Sequence, residues 1–576
     1  MSASDEISAE RPWRKVYREL GVTGEAPKVA ERSLADYVEE HANNRAAQVA
    51  LVYTDKGIEV TWGQLDAYAN RFASLLRSLG LHKGDVMGIH LPNTPQYVVA
   101  LVGAAKAGVT VSGVSPLLTP SEIVHQVNDA KIKLLLTMDA LYNSAVAPVG
   151  KDTPTLKHVL VSGPIDFLAG WKKWLAYTLR KVPKVELKPM QDTQVHDCWS
   201  ALNAAPATRV YTQLHFDDTI YIQYTGGTTG KPKGAELTLR SMFSNARQGE
   251  AFSPAEPGND VIGCAFPFFH LAGLSFVLAA IQNAARFLVV PDPRNVQMFC
   301  AMMKQHPPTV LVNVPTLYMM LTDAPEFRQI DFSKLRVAVS GAAPFPVEAI
   351  RKLEAIIGEK KLCEGYGMTE SSPGLTFNPP TRPKTGSVGI PLVGTDIRIV
   401  DVETGTKEVP LGEPGEIIAR GPQIMKGYLN LPDASARTLR TFDGQVYLYT
   451  GDVASMDDEG YLTIRDRCKD MLIVGGYKVF SVELEGKLNE LPFIEISAII
   501  GEPDAQRPGN DVVTLHLQLT AQGKQRDRKD VEVEVTKFCR DNMAAYKVPK
   551  KLYFHDALPL TPVGKIDKKA LRPAKA

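Results

Sequence analysis

The sequence predicts an α/β fold: a large N-terminal domain of α/β layers, a small β subdomain towards its end, and a small α+β C-terminal domain. Three observations predict it. A chain of 576 residues with 44% hydrophobic content exceeds what one core organises, so two or more domains are expected. From about residue 60 to 340, apolar strand-like runs alternate with segments of helical periodicity, the pattern of parallel strands covered by helices. Between about 386 and 466 this gives way to short β segments broken by turns, and after Asp466 the pattern mixes again.

In chain order, DVMGIHL reads as a strand ahead of the helix PQYVVALVGAAKAG, and LKHVLVSG as the next strand. DTIYIQY precedes the helical LTLRSMFSNARQ, PTVLVNV is another strand, and LRVAVSG leads into the helix PVEAIRKLEAII. TDIRIVDVETG, GEIIARG, YLYTGD and GYLTIRD supply the β subdomain of about 386–466. KVFSVELEGKLNEL then starts a helix, VVTLHLQL is a strand and DVEVEVTKFCRDNM a helix. A domain boundary is placed near Lys469, dividing 1–468 from 469–576.

Composition excludes several classes. With 65 Lys+Arg against 64 Asp+Glu there is no global basic field, so nucleic acid is not a partner and any anion binding is local. The six cysteines, at 198, 264, 300, 363, 468 and 539, show neither a C-x-x-C pair nor zinc spacing and read as reduced thiols of a cytoplasmic protein. The charged N-terminus lacks the apolar core of a signal peptide, and the most apolar stretches are interrupted by Lys106 or by Gln282, Asn283 and Arg286, so neither reads as a membrane span.

Residues 221–234, YIQYTGGTTGKPKG, carry the chemistry. Gly226, Gly227 and Gly230 let backbone N–H groups point into one concavity; Thr225, Thr228 and Thr229 add hydroxyls, and Lys231 and Lys233 add positive charge. This is a loop built to hold phosphates, but it is not a Walker A motif. Ending the match at Gly230-Lys231 puts Thr225 where the first glycine belongs and Pro232 where the magnesium-binding hydroxyl belongs. Pro232 also disfavours helix at Lys231, so a tight strand-to-helix turn is excluded.

The string resembles the phosphate-binding loop of the adenylate-forming superfamily, which contains acyl-CoA synthetases, peptide-synthetase adenylation domains and firefly luciferase. The other family motifs follow in order. Gly341, Ala342 and Ala343 in SGAAP resemble the segment bordering adenine and the acyl pocket. Glu364-Gly365-Tyr366-Gly367-Met368-Thr369-Glu370 resembles the motif whose aromatic stacks on adenine, whose threonine contacts phosphate and whose glutamate binds Mg²⁺. Thr228 is assigned to the same metal. The resemblance makes Asp452 in YTGD the acceptor of both ribose hydroxyls, Arg467 a ribose or phosphate contact and Lys469 the hinge. Lys565 in the closing PVGKIDKK matches the catalytic lysine, a cation for the charge that develops when carboxylate attacks the α-phosphate. Lys568 and Lys569 read as solvated charge. His270 in FPFFHLAG and Val314 are assigned, with Gly341, to the acyl pocket, His270 for positioning and not for acid–base work. Gly475, Gly476 and Tyr477 resemble the loop lining the path of the thiol.

The resemblance spans essentially the whole chain and implies a small β-barrel subdomain in the first domain and a mobile C-terminal domain. The wording QYTGGTTG is most similar to bacterial long-chain fatty acyl-CoA synthetases, and no carrier-type attachment serine follows. The expectation is a two-step ligase: ATP and a fatty acid give acyl-AMP and pyrophosphate with Mg²⁺, and CoA then displaces AMP. Medium-chain, aryl-alkanoic or sterol-derived acids, and an acyl-AMP ligase loading a carrier protein, stay open as alternatives. Some long-chain relatives gate the acyl tunnel with a tryptophan after the motif histidine; here the stretch is Leu271-Ala272-Gly273-Leu274, small residues that leave the entrance open or reshape it.

In 167–182, Phe167, Leu168, Trp171, Trp174, Leu175, Leu179 and Val182 share one helical face, with Lys172, Lys173, Arg180 and Lys181 around the rest. This fits a peripheral membrane contact and equally a surface helix docked on the core. Relatives using long-chain substrates carry a comparable insertion, and homodimers are common among them.

Overall fold

The computed structural model describes residues 11–54, 57–168, 178, 185–225, 231–475, 477–504, 506–507, 510–560 and 566–572. The chain divides into two compact units, 1–396 with 420–448, and 397–419 with 449–576.

The first unit carries two large sheets among the described residues. One has nine strands in the spatial order Ile390–Pro391, Gly374–Phe377, Leu362–Gly367, Val337–Ser340, Val310–Asn313, Val261–Cys264, Arg286–Val289, Val49–Tyr53 and Ile58–Thr61. Its middle strands are parallel and its two flanks antiparallel. The other has eight, in the order Gly427–Tyr428, Lys233–Thr238, Thr219–Thr225, Thr110–Gly113, Val86–His90, Ile132–Met138, His158–Ser162 and Gln194–Asp197. It is parallel except at the Gly427–Tyr428 end. Both sheets have covered faces, which is why their strands read as continuous apolar runs.

Helices Trp62–Ser78 and Pro95–Ala107 show how the core forms. The first starts at a capping box, with Thr61 Oγ1 accepting from Gln64 N and Gln64 Oε1 accepting from Thr61 N. The second is buried almost all round, and Gly103 lets it approach Phe72 of the first closely, since a Cβ there would sit 2.8 Å from the Phe72 Cβ. Lys106 is itself buried and its ammonium lies 2.8 Å from Asp66 Oδ1, a paired interior charge. Among the described residues no helix is long and apolar enough to cross a membrane.

In the second unit, strands Asp396–Val400, Gly415–Arg420, the C-terminal part of Gln445–Met456 and Leu462–Arg467 pair in succession, the four β segments read from the sequence. Ile494–Pro503, Asp511–Leu519 and Lys551–His555 form a three-stranded sheet, and the helices Ser481–Leu488 and Arg528–Asn542 share its apolar core through Leu484, Leu488, Val531 and Val535. All six cysteines are free thiols, five of them buried.

Candidate functional site

The phosphate loop joins two antiparallel neighbours. Thr219–Thr225 pairs antiparallel with Lys233–Thr238, Thr225 opposite Lys233, so the strands flanking the loop are the two arms of a hairpin, and the helix Leu239–Glu250 follows the second. Gly226, Gly227, Thr228, Thr229 and Gly230 lie outside the described residues. Among the described residues, Pro232 is followed by the strand Lys233–Thr238 and not by a helix, in line with the bias proline places on its neighbour. His125 Nε2 donates to the Pro232 carbonyl at 3.0 Å and fixes the second stem of the hairpin beside Lys231. Gly234 is demanded by packing, since a Cβ would lie 2.9 Å from Ile222 Cγ2 and 3.1 Å from the Tyr224 ring.

Lys233 does not project into open space. Its ammonium stands 4.0 Å from the ring centroid of Tyr428, and the Tyr428 hydroxyl donates to Glu370 Oε1 at 2.5 Å. Tyr428 belongs to the short strand Gly427–Tyr428, where it pairs opposite Ala235 of the hairpin. The backbone adds a further tie, because Met425 N donates to the Glu370 carbonyl at 2.9 Å. Glu370 and Tyr428 are each only 6% exposed. The two conspicuous sequence motifs, loop and glutamate, are thus joined through a tyrosine that sequence reasoning missed. A two-residue strand is too short to show a period, and the pair Gly427-Tyr428 carries no other signal.

The turn that presents Glu370 is equally specific. Leu362–Gly367 pairs antiparallel with Gly374–Phe377, and a Cβ on Gly367 would overlap the Pro373 carbonyl oxygen. Met368 N donates to that carbonyl at 2.8 Å and Ser371 Oγ donates to it at 2.6 Å. Tyr366, Met368 and Thr369 are half-buried on this turn. Glu364 lies opposite Ser340 across two parallel strands. Burial pushes its carboxyl up to about 7, against the opposing effect of hydrogen bonds from the backbone N–H groups of Phe345 and Gly386. Gly341, directly after Ser340, has Gly365 O 3.2 Å from where a Cβ would be; Ala342 and Ala343 beyond it are exposed, Ala342 at φ 70° in the left-handed region.

His270 is the N-cap of the helix Leu271–Gln282, its Nδ1 accepting from Ala272 N at 3.3 Å, and its ring is half-buried. Asn93 holds the preceding aromatic segment by donating to Phe266 O (2.9 Å) and accepting from Phe268 N (2.8 Å). Gly273 has a packing reason, because a Cβ there would overlap the carbonyl oxygens of Phe266 and Pro267. Val314, the N-cap of the helix Pro315–Asp323, packs against two of the unit's core clusters.

Glu370 fits the expected cation. Among the described residues no three His, Cys, Asp or Glu side chains gather into an all-protein cage, and a single buried carboxylate beside a phosphate loop is the donor set that suits Mg²⁺ taking its remaining oxygens from phosphates and water.

In the second unit Asp452 and Arg467 face each other on paired strands, with Arg467 Nε 3.4 Å from Asp452 Oδ1. Gly451 N donates to Glu416 Oε1 at 2.9 Å and Thr450 Oγ1 donates to Ile417 O at 2.8 Å, which holds the YTGD turn. The ammonium of Lys469 is pushed down to about 8 by burial and by the charges of Arg467 and Arg572. Arg572 bonds to Lys469 O at 3.2 Å and to Asp470 Oδ1 at 2.6 Å. Gly475 N donates to Asn510 Oδ1 at 2.7 Å, and Tyr477, 60% exposed, stacks on Tyr546 with centroids 4.6 Å apart. Gly476 and Lys565 lie outside the described residues.

Lys568 corrects the sequence expectation. It is not a solvated charge: its ammonium lies 2.7 Å from Glu485 Oε1 and 2.6 Å from Ser481 Oγ, in a site where Asp466 also accepts from Ser481 N and from Arg467 N (2.7 Å). Burial holds the carboxyls of Asp466 and Glu485 above their usual range, and the Lys568 charge opposes this. A cation three residues beyond Lys565 was hidden in a run of lysines that looked like any basic tail.

Residues 38–429 match the AMP-binding enzyme family and residues 483–565 the AMP-binding enzyme C-terminal domain. The chain is 35% identical to the long-chain-fatty-acid–CoA ligase of Yersinia pestis over 98% of both chains. It is 34% identical to that of Bacillus subtilis, again over 98% of each. Its fold is similar to the crystal structure of the anthranilate CoA ligase AuaEII in complex with anthranoyl-AMP, with a TM-score of 0.79 and 25% identity over 94% of this chain and 96% of that one.

Proposed function

The chain belongs to the AMP-binding enzyme family, and on that footing we propose that it is an ATP-dependent fatty acid–CoA ligase. The observation that carries the reading is the linkage of the phosphate hairpin to a buried carboxylate, Glu370, in a chain similar end to end to long-chain-fatty-acid–CoA ligases. A fatty carboxylate attacks the α-phosphate of ATP, pyrophosphate leaves, and the thiol of CoA then takes the acyl group from AMP.

The roles divide by step. The 225–234 loop, with Lys231 and Lys233, holds the pyrophosphate half of ATP, and Tyr366, Glu364 and Gly341 to Ala343 border the adenine. Glu370, with Thr228, would hold Mg²⁺, which when bound would supply positive charge to offset that of the phosphates. Asp452 and Arg467 bind the ribose side, and His270 and Val314 border the acyl group. Lys565 supplies the cation for adenylation; rotation of 469–576 about Lys469 then exchanges it for the Gly475 to Tyr477 loop, because two different reactions need different groups at one place.

The test is pyrophosphate release with CoA across carboxylic acids of graded length. Turnover is expected to rise from medium to long aliphatic acids and to require CoA. A maximum on aryl acids, or turnover indifferent to CoA, would reject the reading.

The proposal extends to a cytoplasmic homodimer that touches the membrane peripherally through 167–182. Phe167 itself is packed, its ring centroid 5.2 Å from that of Tyr68 and 5.3 Å from that of Trp199, so lipid contact falls to Leu168 and to Trp171, Trp174, Leu175, Leu179 and Val182, the last five of which lie outside the described residues. Liposome flotation of a chain lacking 169–182 checks the contact: undiminished binding removes it. Sedimentation velocity checks the dimer, and a monomer at micromolar concentration removes that.

A further inference from the structure

A carboxylate that must meet a metal ion and phosphates gains from being held before they arrive. The Glu370 carbonyl is held by Met425 N, its Oε1 by the Tyr428 hydroxyl at 2.5 Å, and the same tyrosine ring lies under the Lys233 ammonium at 4.0 Å. We propose that Tyr428 is a positioning residue, whose hydroxyl sets the Glu370 carboxylate for Mg²⁺ and whose ring seats the phosphate-loop cation Lys233. The inference rests on the assignment of Glu370 to the metal.

The chemistry of the contact supports a role beyond packing. A phenol donating to a carboxylate makes a charge-assisted bond, stronger and more directional than a neutral one. With both residues 6% exposed, water competes little for it. The ammonium over the ring face withdraws electron density and makes the O–H a better donor, so cation and carboxylate reinforce each other through one side chain. The frame is rigid, because Tyr428 is paired opposite Ala235, two residues along the strand from Lys233. Donors to a metal-binding carboxylate commonly shift metal affinity when removed.

The experiment measures equilibrium binding of ATP as Mg²⁺ is titrated, with neither carboxylic acid nor CoA present, so that no turnover enters the readout. Tyr428→Phe keeps the ring and removes only the hydroxyl. It is expected to raise the Mg²⁺ midpoint about tenfold and to leave ATP binding at saturating Mg²⁺ close to wild type. Tyr428→Leu removes the ring as well and is expected to weaken ATP binding even at saturating Mg²⁺. Glu370→Gln should shift the midpoint at least as far, and the double variant Tyr428→Phe with Glu370→Gln no further. A shift for Glu370→Gln without one for Tyr428→Phe overturns the inference and spares the metal assignment. No shift for either overturns both. A uniform loss of ATP binding at every Mg²⁺ concentration in Tyr428→Phe means a purely structural role and also overturns it.

Discussion

Glu364 is where burial outweighs two backbone hydrogen bonds, and the imbalance has a sign. Its folded value of about 7 lies above the usual 4.5, so the folded state holds a proton that the unfolded chain gives up. The stability this brings is present in full below about pH 4.5 and is lost as pH rises through about 7, a fall of at most about 3 kcal/mol. Glu364→Gln is expected to flatten that part of the profile; denaturant midpoints measured from pH 4.5 to 8 check it, and an unchanged slope would deny the assignment. Lys568 and Tyr428 show the limit of reading at this scale. Nothing in a basic tail marks which lysine is paired with Glu485, and nothing in Gly427-Tyr428 marks a phenol aimed at a carboxylate 58 positions away.

Among the elements, the turn after Leu362–Gly367 depends most on one atom. Adding a Cβ at Gly367 drives it into the Pro373 carbonyl that receives both Met368 N and Ser371 Oγ, so backbone must move. Gly367→Ala is expected to cost roughly 1–3 kcal/mol and, by displacing Glu370, to raise the Mg²⁺ requirement for nucleotide binding. Denaturation together with Mg²⁺ titration checks both; a stable variant with unaltered Mg²⁺ dependence would show that the turn tolerates the methyl. Gly273 teaches the same lesson for the acyl side. Its small size is read from the sequence as room for substrate, while the structure spends it on close contact between a helix and the Phe266 and Pro267 carbonyls. The strand Lys233–Thr238 was missed because GKPKG has turn composition, and pairing with two neighbours made it a strand all the same.

For the whole molecule, the two-step reading makes Lys565 necessary to one half-reaction only. Lys565→Ala is expected to lower acyl-AMP formation roughly 100- to 1,000-fold and to leave thioester formation from supplied acyl-AMP within about threefold. Pyrophosphate release and acyl-CoA yield measure the two separately, and equal losses would remove the assigned role. The fold class, the family and the order of the motifs were all legible beforehand, because periodicity and glycine-rich turns are local properties that a strand or loop displays in its own residues. The failed Walker A match likewise excluded a strand-to-helix phosphate loop, since Pro232 acts on its immediate neighbour. Only the tertiary structure decided that the strands flanking the loop pair with each other and with Gly427–Tyr428, that Tyr428 joins Lys233 to Glu370, and that Lys568 is paired with Glu485. Those are contacts between residues tens to nearly two hundred positions apart, and their existence depends on which strands pair and which charges lose their water, neither of which is written in any single stretch of chain.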